Sequence, residues 1–283
     1  MASSHARSLP LSFKDSSLSL ERDYTGLYPQ RAVAWQHLTM VRIAVISDVH
    51  SNLDALEAVI RDAGQVDDWW CLGDIVGYGP EPNEVISALQ DLKATCIQGN
   101  HDECILHRGQ IGWFHGAARE ALEWTSRQLT DASWAFLQAL PQSRAIEGVR
   151  LVHGSPRGPL SEYVTGGHIA AASFRLIEEA VCFIGHTHIA SAFTQPAESL
   201  LSSAEPRGHQ SMTRLNDGGR HMLNSGSVGQ PRDGDPRASY GILDAESMQF
   251  TWLRVPYGIH RTQEKMLSAG LPRMLIDRLA EGW

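Results

Sequence analysis

The sequence predicts an α/β fold in which two packed sheets are flanked by helices. Between residues 42 and 99, continuous apolar runs alternate with amphipathic segments of helical period. This alternation is typical of right-handed βαβ units, which build a parallel sheet covered by helices. After residue 219, three shorter runs follow one another without helices between them. These runs predict a second sheet of hairpin-like strands.

The first half of the chain is predicted to contain three strands and two helices. In order, these are a strand at 42–47, a helix at 52–64, a strand at 69–73, a helix at 83–92 and a strand at 94–99. In the first helix Leu56, Val59 and Ile60 fall on one face, and Gly64 follows as a stop signal. A "GPEP" breaker precedes the second helix. Each strand is therefore followed by a crossover of the length that a parallel sheet requires.

The second half is less regular. Residues 107–140 are predicted to be helical and are rich in aromatic residues, and strands at 149–154 and 180–186 enclose a helix at about 167–179. A polar stretch at 195–219 precedes the runs "HMLNSGS", "ASYGILD" and "MQFTWLRV", and residues 260–281 form a helical tail. We therefore divide the chain into an extension at 1–39, one large domain at 40–257 and a C-terminal helical tail at 258–283.

The extension 1–39 carries seven serines, scattered charges and no sustained period. It is predicted to be weakly structured or accessory. Two interpretations remain open. The start codon could be assigned too far upstream, with translation beginning at Met40, or the segment could act as a regulatory or dimer-clasping arm.

Composition restricts the class of protein. The hydrophobic fraction of 42% and the charged fraction of 20% are those of a globular protein in water. No apolar run approaches the roughly 18 residues that a membrane span needs, and the first 39 residues lack the apolar centre of a secretory signal. A net charge of −8 argues against an extensive nucleic-acid-binding surface. The four cysteines are predicted to be reduced core residues, which favours a cytoplasmic protein.

Polar residues follow the predicted strands where each strand ends. They are Asp48 and His50, Asp74, Asn100 with His101 and Asp102, His153, and the pair His186 and His188 in "FIGHTH". Asp48, Asp74 and Asn100 are spaced at equal intervals of 26 residues, about one βα unit each. Parallel strands therefore bring these side chains to the carboxyl edge of a sheet, where open α/β folds bind ligands.

This set of donors indicates a metal site. A lone histidine at a strand end is usually a satisfied loop residue, but five of the 13 histidines lie at these strand ends beside carboxylates and an amide. Mixed nitrogen and oxygen donors suit Mn, Fe, Zn, Co or Ni better than calcium. There are more candidate ligands than one ion needs.

The motifs "DVH", "GDIVGYGP", "GNHD", "HGSP" and "GHTH", in this order and spacing, resemble those of the calcineurin-like metallophosphoesterases. The resemblance spans about residues 41–257. "GDIVGYGPEPNE" and "NSGSVGQPRDG" are similar to the small prokaryotic phosphodiesterase branch, which includes diadenosine tetraphosphatase-like proteins. The resemblance implies a four-layer α-β-β-α sandwich with two mixed sheets, and a cofactor of two divalent transition-metal ions, manganese first among them.

The resemblance also implies a role for each motif residue. Asp48, His50 and His188 would hold one ion, Asn100, His153 and His186 the other, and Asp74 would bridge them. A metal-bridging hydroxide would attack phosphorus in line, and His101 would protonate or stabilise the leaving oxygen. Many relatives carry an acidic residue at position 77 to orient this histidine, but here the position is Gly77. Asp102 is a candidate replacement partner, or else a structural residue.

Two divalent ions, two carboxylates and one hydroxide would leave the centre at about +1, which suits a phosphodiester. Candidate substrate contacts are Arg157, Tyr163, Ser227 and Arg232, each of which could instead complete a loop or a salt bridge. Trp113, Phe114 and His115 could stack on a base or belong to the core.

The predicted function is hydrolysis of a small nucleotide-type phosphate diester by a dinuclear metal-dependent phosphohydrolase. The alternatives are a phosphomonoesterase, acting on a small molecule or on phosphoserine and phosphothreonine in proteins, and a non-catalytic scaffold. No membrane partner is expected, and a homo-oligomer is possible. The sequence leaves the physiological substrate and the identity of the metal open.

Overall fold

The computed structural model describes residues 41–114, 116–196 and 201–283. The predicted extension 1–39 lies outside these ranges. The described strands are β1 (Arg42–Ile46), β2 (Asp68–Cys71), β3 (Thr95–Cys96), β4 (Ser143–Ile146), β5 (Val149–Val152), β6 (Val181–Ile184), β7 (Ser191–Gln195), β8 (Ser202–Ala204), β9 (Gln210–Arg214), β10 (Arg220–Asn224), β11 (Ala238–Asp244) and β12 (Gln249–Val255). They form two mixed sheets of six strands each, so the predicted fold class is confirmed.

Helices connect and cover the sheets. They are α1 (Leu53–Ala63), α2 (Pro82–Asp91), α3 (Asn100–Leu106), a 3-10 helix (Arg108–Trp113), α4 (Gly116–Gln128), α5 (Asp131–Gln138), α6 (Gly167–Phe174), α7 (Ile259–Ser268) and α8 (Arg273–Glu281). Helix α1 begins after Asn52, whose side chain accepts a hydrogen bond from the Ala55 amide, and it ends before Gly64. Within the described ranges, no helix is long and apolar enough to cross a membrane.

Each sheet contains three parallel strands. In the first sheet the order is β3-β2-β1-β11-β12-β9, and β1, β2 and β3 run parallel. In the second sheet the order is β4-β5-β6-β10-β7-β8, and β5, β6 and β10 run parallel. Each sheet therefore presents the carboxyl ends of three parallel strands.

The predicted second sheet was wrong in its membership. The last three strands do not pair only with each other, because β10 lies parallel to β6, whereas β11 and β12 extend the first sheet from β1. Strands β8 and β9 also lie within the stretch 195–219 that was predicted to be a polar excursion. Apolar runs identify strands but carry no information on which strand each one will pair with.

The core lies between the two sheets. Alternate residues of β1 point to opposite faces, so Ile43 and Val45 pack against the second sheet, whereas Ala44 and Ile46 pack against α1 and α2. Phe183 and Phe250 meet in the central layer with ring centroids 5.0 Å apart. Helix α6 covers the outer face of the second sheet. All four cysteines are buried and unpaired, as predicted.

The C-terminal tail is a helical hairpin formed by α7 and α8. Its apolar side chains pack with Ala121 of α4 and with Tyr78, which follows β2. Lys265 of α7 anchors the hairpin by contacts of 2.8 Å with the carboxylates of Asp54 and Glu81.

Candidate metal centre and active site

The carboxyl ends of the six parallel strands meet at one place. Strands β1, β2 and β3 lead into Asp48 and His50, Asp74, and Asn100, and strands β5, β6 and β10 lead into His153, His186 and His188, and the loop 225–236. The strand-end residues that the sequence singled out therefore converge, although they come from two different sheets.

The backbone at this place is strained. Asp48, His50, Asp74, His186 and His188 all have positive φ angles, between 47° and 66°. Residues other than glycine rarely adopt this left-handed region, and they persist there only where the surrounding structure determines their position. The glycine before Asn100 lies too close to Asp74 to carry a side chain. A Cβ atom on Gly99 would lie 2.1 Å from the amide nitrogen of Asp74.

A first group of donors consists of Asp48, His50, Asp74 and His188. Their ligand atoms all lie within 4.8 Å of one another, and all four side chains are buried. His50 donates from Nδ1 to the Val76 carbonyl at 3.3 Å, and His188 donates from Nδ1 to the Gln230 carbonyl at 2.6 Å. These bonds fix each ring so that Nε2 faces the centre of the group, the usual arrangement behind metal-binding histidines.

Two features of this group fit a bound cation. The Nε2 atoms of His50 and His188 lie 3.1 Å apart, and burial holds the pKa of each ring well below its usual value. Two neutral rings that both use Nδ1 as a donor would present lone pairs to each other. In addition, Oδ1 of Asp48 is buried without a hydrogen-bond partner and lies 3.3 Å from Nε2 of His188.

Burial dominates the electrostatics of Asp48, although the positive charges of His153 and Arg232 oppose its effect. Its Oδ2 accepts a hydrogen bond of 3.1 Å from the amide of His186, but burial raises the pKa of Asp48 to about 7. A carboxylate whose ionised form is disfavoured by burial gains most from a neighbouring cation. The donor set and its electrostatics therefore suit a divalent ion.

A second group consists of Asp74, His153 and His186. His153 donates from Nδ1 to the Leu72 carbonyl at 2.8 Å, which turns its Nε2 to within 3.0 Å of Oδ1 of Asn100. His186 is oriented the other way, because its Nε2 donates to the Ser161 carbonyl at 3.3 Å. Nδ1 of His186 is thus the atom left to face the group, and burial lowers the pKa of this ring to about 3.

Asp74 belongs to both groups. Its Oδ2 lies 3.6 Å from Nε2 of His50 and 3.4 Å from Nε2 of His153, while its Oδ1 accepts a hydrogen bond from the His101 amide at 2.8 Å. Burial acts to raise the pKa of Asp74, but His153 and His101 outweigh it and hold the pKa well below the usual range. Asp74 in turn outweighs the effect of burial on His153 and raises its pKa to about 9.

His101 lies beside the first group and is held by packing. Its ring centroid is 4.7 Å from that of His50, 4.4 Å from that of Tyr78 and 5.1 Å from that of Phe114. Its Nδ1 is buried without a hydrogen-bond partner and faces Gly77, where a Cβ atom would lie only 2.5 Å away. Burial lowers the pKa of His101 to about 4.

The Asp102 carboxylate bonds backbone amides, and Nδ1 of His101 has no hydrogen-bond partner. The carboxylate of Asp102 accepts hydrogen bonds from the amides of Ile75, Val76 and Gly99, at 3.2, 3.1 and 2.9 Å. These contacts tie the loop after β2 to the start of α3. A structural role for Asp102, which the sequence left open as an alternative, accounts for all three hydrogen bonds.

The four candidate substrate contacts differ in their surroundings. Arg232 donates from Nη2 to Gln230 at 3.0 Å, and its Nε is buried without a partner. Tyr163 stacks on His186 with ring centroids 3.9 Å apart. Nη2 of Arg157 lies 3.3 Å from a carboxylate oxygen of Glu162. This salt bridge is the alternative to a substrate contact that the sequence left open for Arg157.

Ser227 is fully buried, and its hydroxyl donates to the Asp48 carbonyl and accepts from the Gln230 amide, both at 2.8 Å. Its contacts lie within the fold, which favours a structural role. Of the candidate base-stacking residues, Trp113 is 72% exposed, Phe114 contacts His101, and His115 lies outside the described residues.

Two residues of the site were missed by the reasoning from sequence. Tyr78 packs against both His50 and His101, and Gln230 holds His188 through its carbonyl and Arg232 through its side chain. Both stand inside the motifs "GDIVGYGP" and "SVGQPRD", so the motifs themselves carried the signal.

Residues 41–248 match the model of the calcineurin-like phosphoesterase superfamily domain. The chain belongs to this family, and the resemblance stated from its motifs is confirmed. A solved metallophosphoesterase from Sphaerobacter thermophilus is 42% identical, with a TM-score of 0.78 over 87% of this chain and 100% of that one. A hypothetical protein of Pyrococcus horikoshii, 22% identical with a TM-score of 0.68 over 86% of this chain and 99% of that one, shares the fold.

An uncharacterised protein of Methanocaldococcus jannaschii is 35% identical to this chain over 247 residues, which are 85% of this chain and 98% of the relative. A symmetrical bis(5'-nucleosyl)-tetraphosphatase of Ectopseudomonas mendocina is 34% identical over 107 residues, or 35% of this chain and 37% of that enzyme. The second similarity is thus confined to part of each protein.

Proposed function

We propose that the protein is a dinuclear metal-dependent phosphodiesterase that hydrolyses a small nucleotide-type phosphate ester. The observation that carries the proposal is the position of Asp74, whose Oδ2 lies within 3.6 Å of a histidine from each donor group. One carboxylate shared by two clusters of nitrogen and oxygen donors supports a centre of two ions that are close together.

In this proposal Asp48, His50 and His188 hold one ion, and Asn100, His153 and His186 hold the other. Asp74 is shared between them. When bound, such ions activate water for attack on phosphorus and neutralise the charge that develops on the phosphoryl oxygens. The donor chemistry suits manganese, with iron, zinc, cobalt and nickel as alternatives.

The protein's own residues then bind and orient the ester. Arg232 is a partly exposed cation at the rim, so its guanidinium can donate to a phosphoryl oxygen in addition to its bond with Gln230. His101 is neutral because of its burial, and an approaching anion favours its protonated form. We assign to His101 the delivery of a proton to the leaving oxygen.

A nucleotide-type substrate is supported by the partial similarity to the bis(5'-nucleosyl)-tetraphosphatase. The exposed ring of Trp113 stands one residue from Phe114, which contacts His101, and it offers a surface on which a base could stack. A phosphomonoesterase is the second candidate, because the same donors would serve a monoester. A non-catalytic scaffold would not need the complete set of donors.

The test is hydrolysis of bis(p-nitrophenyl) phosphate and of p-nitrophenyl phosphate by metal-stripped protein, with and without Mn²⁺. We expect metal-dependent cleavage that favours the diester. A preference for the monoester would support the phosphomonoesterase instead. Bound metal without hydrolysis of either ester would contradict the proposal and support the scaffold.

A further inference from the structure

We propose that Tyr78 is a positioning residue for His101 and Arg232, and that the C-terminal hairpin of α7 and α8 holds Tyr78 in place. This inference rests on the proposed function, since it concerns the residues assigned to proton delivery and phosphate binding. It extends the active-site architecture to residues 259–281, beyond the residues 41–248 that match the family model.

The ring of Tyr78 fills the space beside His101. Its centroid lies 4.4 Å from the His101 ring in an edge arrangement and 4.4 Å from the His50 ring in a tilted one. His101 has no hydrogen-bond partner at Nδ1, and position 77 has no side chain that could supply one. The orientation of His101 therefore depends on the rings packed around it, and Tyr78 is among the nearest.

The hydroxyl group of Tyr78 reaches Arg232. Nη2 of Arg232 lies 3.4 Å from this hydroxyl oxygen, and the guanidinium carbon lies 5.8 Å from the centre of the Tyr78 ring. Each contact is weak alone, but together with the bond to Gln230 they restrict the rotamers of a long side chain. One tyrosine thus contacts both residues that are assigned to act on the phosphate.

Tyr78 also packs against the hairpin. Tyr78 is buried in one apolar cluster with Ala121, Met266, Leu271, Leu275, Ile276 and Leu279. Its φ of +59° is strained for a tyrosine, so the surrounding structure has to determine its position. Six other buried residues share this cluster with Tyr78. Five of them belong to the hairpin, counting Leu271 in the linker between α7 and α8.

The end of the chain also secures the loop that carries Arg232. The Gly234 amide donates to the Gly282 carbonyl at 2.8 Å, and a Cβ atom on Gly282 would lie 2.7 Å from the Asp235 backbone. Residue 282 has a φ of +71°, which suits glycine at this close approach. The tail therefore supports Arg232 both through Tyr78 and through its own loop.

The test uses two substitutions at Tyr78 in the Mn²⁺-loaded full chain. Tyr78→Phe keeps the ring and loses the hydroxyl, so we expect kcat within about twofold and a rise in KM of roughly 2- to 5-fold. Tyr78→Leu also loses the ring, so we expect kcat to fall about tenfold or more while metal content is unchanged. A matched control is Tyr240→Leu, a buried tyrosine that bonds Asp62 on α1, which should lose stability and keep kcat.

The role of the hairpin is tested at Leu275, which is buried in the cluster with Tyr78. Leu275→Ala should lower kcat several-fold without loss of metal, and Leu215→Ala, at a buried site in another cluster, should lower the melting temperature without changing kcat. This pair keeps the proposal testable if a Tyr78 variant does not fold.

Binding of inorganic phosphate to the Mn²⁺-loaded protein, measured by calorimetry, gives a readout that does not depend on hydrolysis. We expect Tyr78→Leu to weaken this binding about tenfold. Wild-type protein that binds phosphate but hydrolyses no ester, with weakened binding in Tyr78→Leu, would refute the proposed function and retain the positioning role. Folded Tyr78→Leu with unchanged kcat, KM and phosphate affinity, or with lost metal, would overturn the positioning role.

Discussion

Nε2 of His50 and Nε2 of His188 face each other at 3.1 Å, and each ring is held by a bond from its own Nδ1 to a backbone carbonyl. The two rings come from different sheets and are separated by 138 residues. Neutral rings in this arrangement repel each other through their lone pairs unless a cation lies between them and the neighbouring carboxylates. The fold is therefore expected to be stabilised by metal.

Addition of Mn²⁺ to metal-stripped protein should raise the melting temperature. An ion that binds only the folded state at 100 times its Kd adds about 2.7 kcal/mol to the free energy of unfolding. The measurement is thermal unfolding across a Mn²⁺ titration, with His188→Ala as the variant that should respond less. An unchanged melting temperature in the wild type would contradict the assignment of these donors.

Asp74→Asn should impair both donor groups together, because an amide is a poor shared ligand and Oδ2 of Asp74 lies near His50 and His153. We expect metal content to fall well below that of the wild type, measured by elemental analysis after gel filtration. Asp277→Asn, in an exposed pair with Arg273, is the matched control and should keep its metal. Two ions per chain in Asp74→Asn would refute the shared role.

His101→Ala should lower turnover by roughly 10²-fold and leave metal content intact, because the side chain is assigned to proton delivery and not to metal binding. Steady-state kinetics with the diester and elemental analysis of the same sample make the check. If this variant loses its metal, His101 belongs to the metal-binding set and the assignment is incorrect.

Gly77→Ala should displace His101. Position 77 has a φ of +95°, and the added Cβ would lie 2.5 Å from Nδ1 of His101. We expect both lower stability and lower turnover. Gly64→Ala is the control that distinguishes backbone strain from a steric clash with His101. Gly64 also has a positive φ, of +61°, but a Cβ atom there would have no neighbour within 4 Å. This control should lose about 1–3 kcal/mol of stability and keep its turnover.

His221 should make the stability depend on pH. It is fully buried, and burial lowers its pKa even though Asp217 lies 3.0 Å away. Because the folded pKa lies below the unfolded value of about 6.5, the unfolded state takes up the proton first, and stability falls as the pH drops below about 6.5. We expect His221→Gln to lose less stability than the wild type between pH 8 and pH 5.5, measured by urea unfolding. Parallel curves would contradict the expectation.

Local pattern was sufficient to predict the elements of the first half. The alternation of apolar runs and amphipathic segments located β1, β2 and the helices α1 and α2, because each pattern reflects the burial of one element against its nearest layer. The predicted strand at 94–99 is shorter in the structure, where β3 ends at Cys96 and the chain turns toward Asn100.

The same reasoning could not assign the partners of the last strands. β10, β11 and β12 are similar apolar runs, yet β10 joins β6 whereas β11 joins β1. Which pairing forms depends on how both sheets fill the layer between them, where Phe183 meets Phe250. Contacts between residues far apart in sequence decide this, and no window of the chain contains them.

The sequence by itself indicated the family and the set of candidate donors, because motif spacing places each of these residues shortly after a strand. Only the tertiary structure decided which ring nitrogen each histidine presents, that Asp102 bonds backbone amides, that Ser227 is buried, and that Tyr78 contacts both the C-terminal hairpin and His101. The physical reason is that hydrogen bonding and packing in the site are completed by groups from both sheets and from the end of the chain, which meet only in the folded protein.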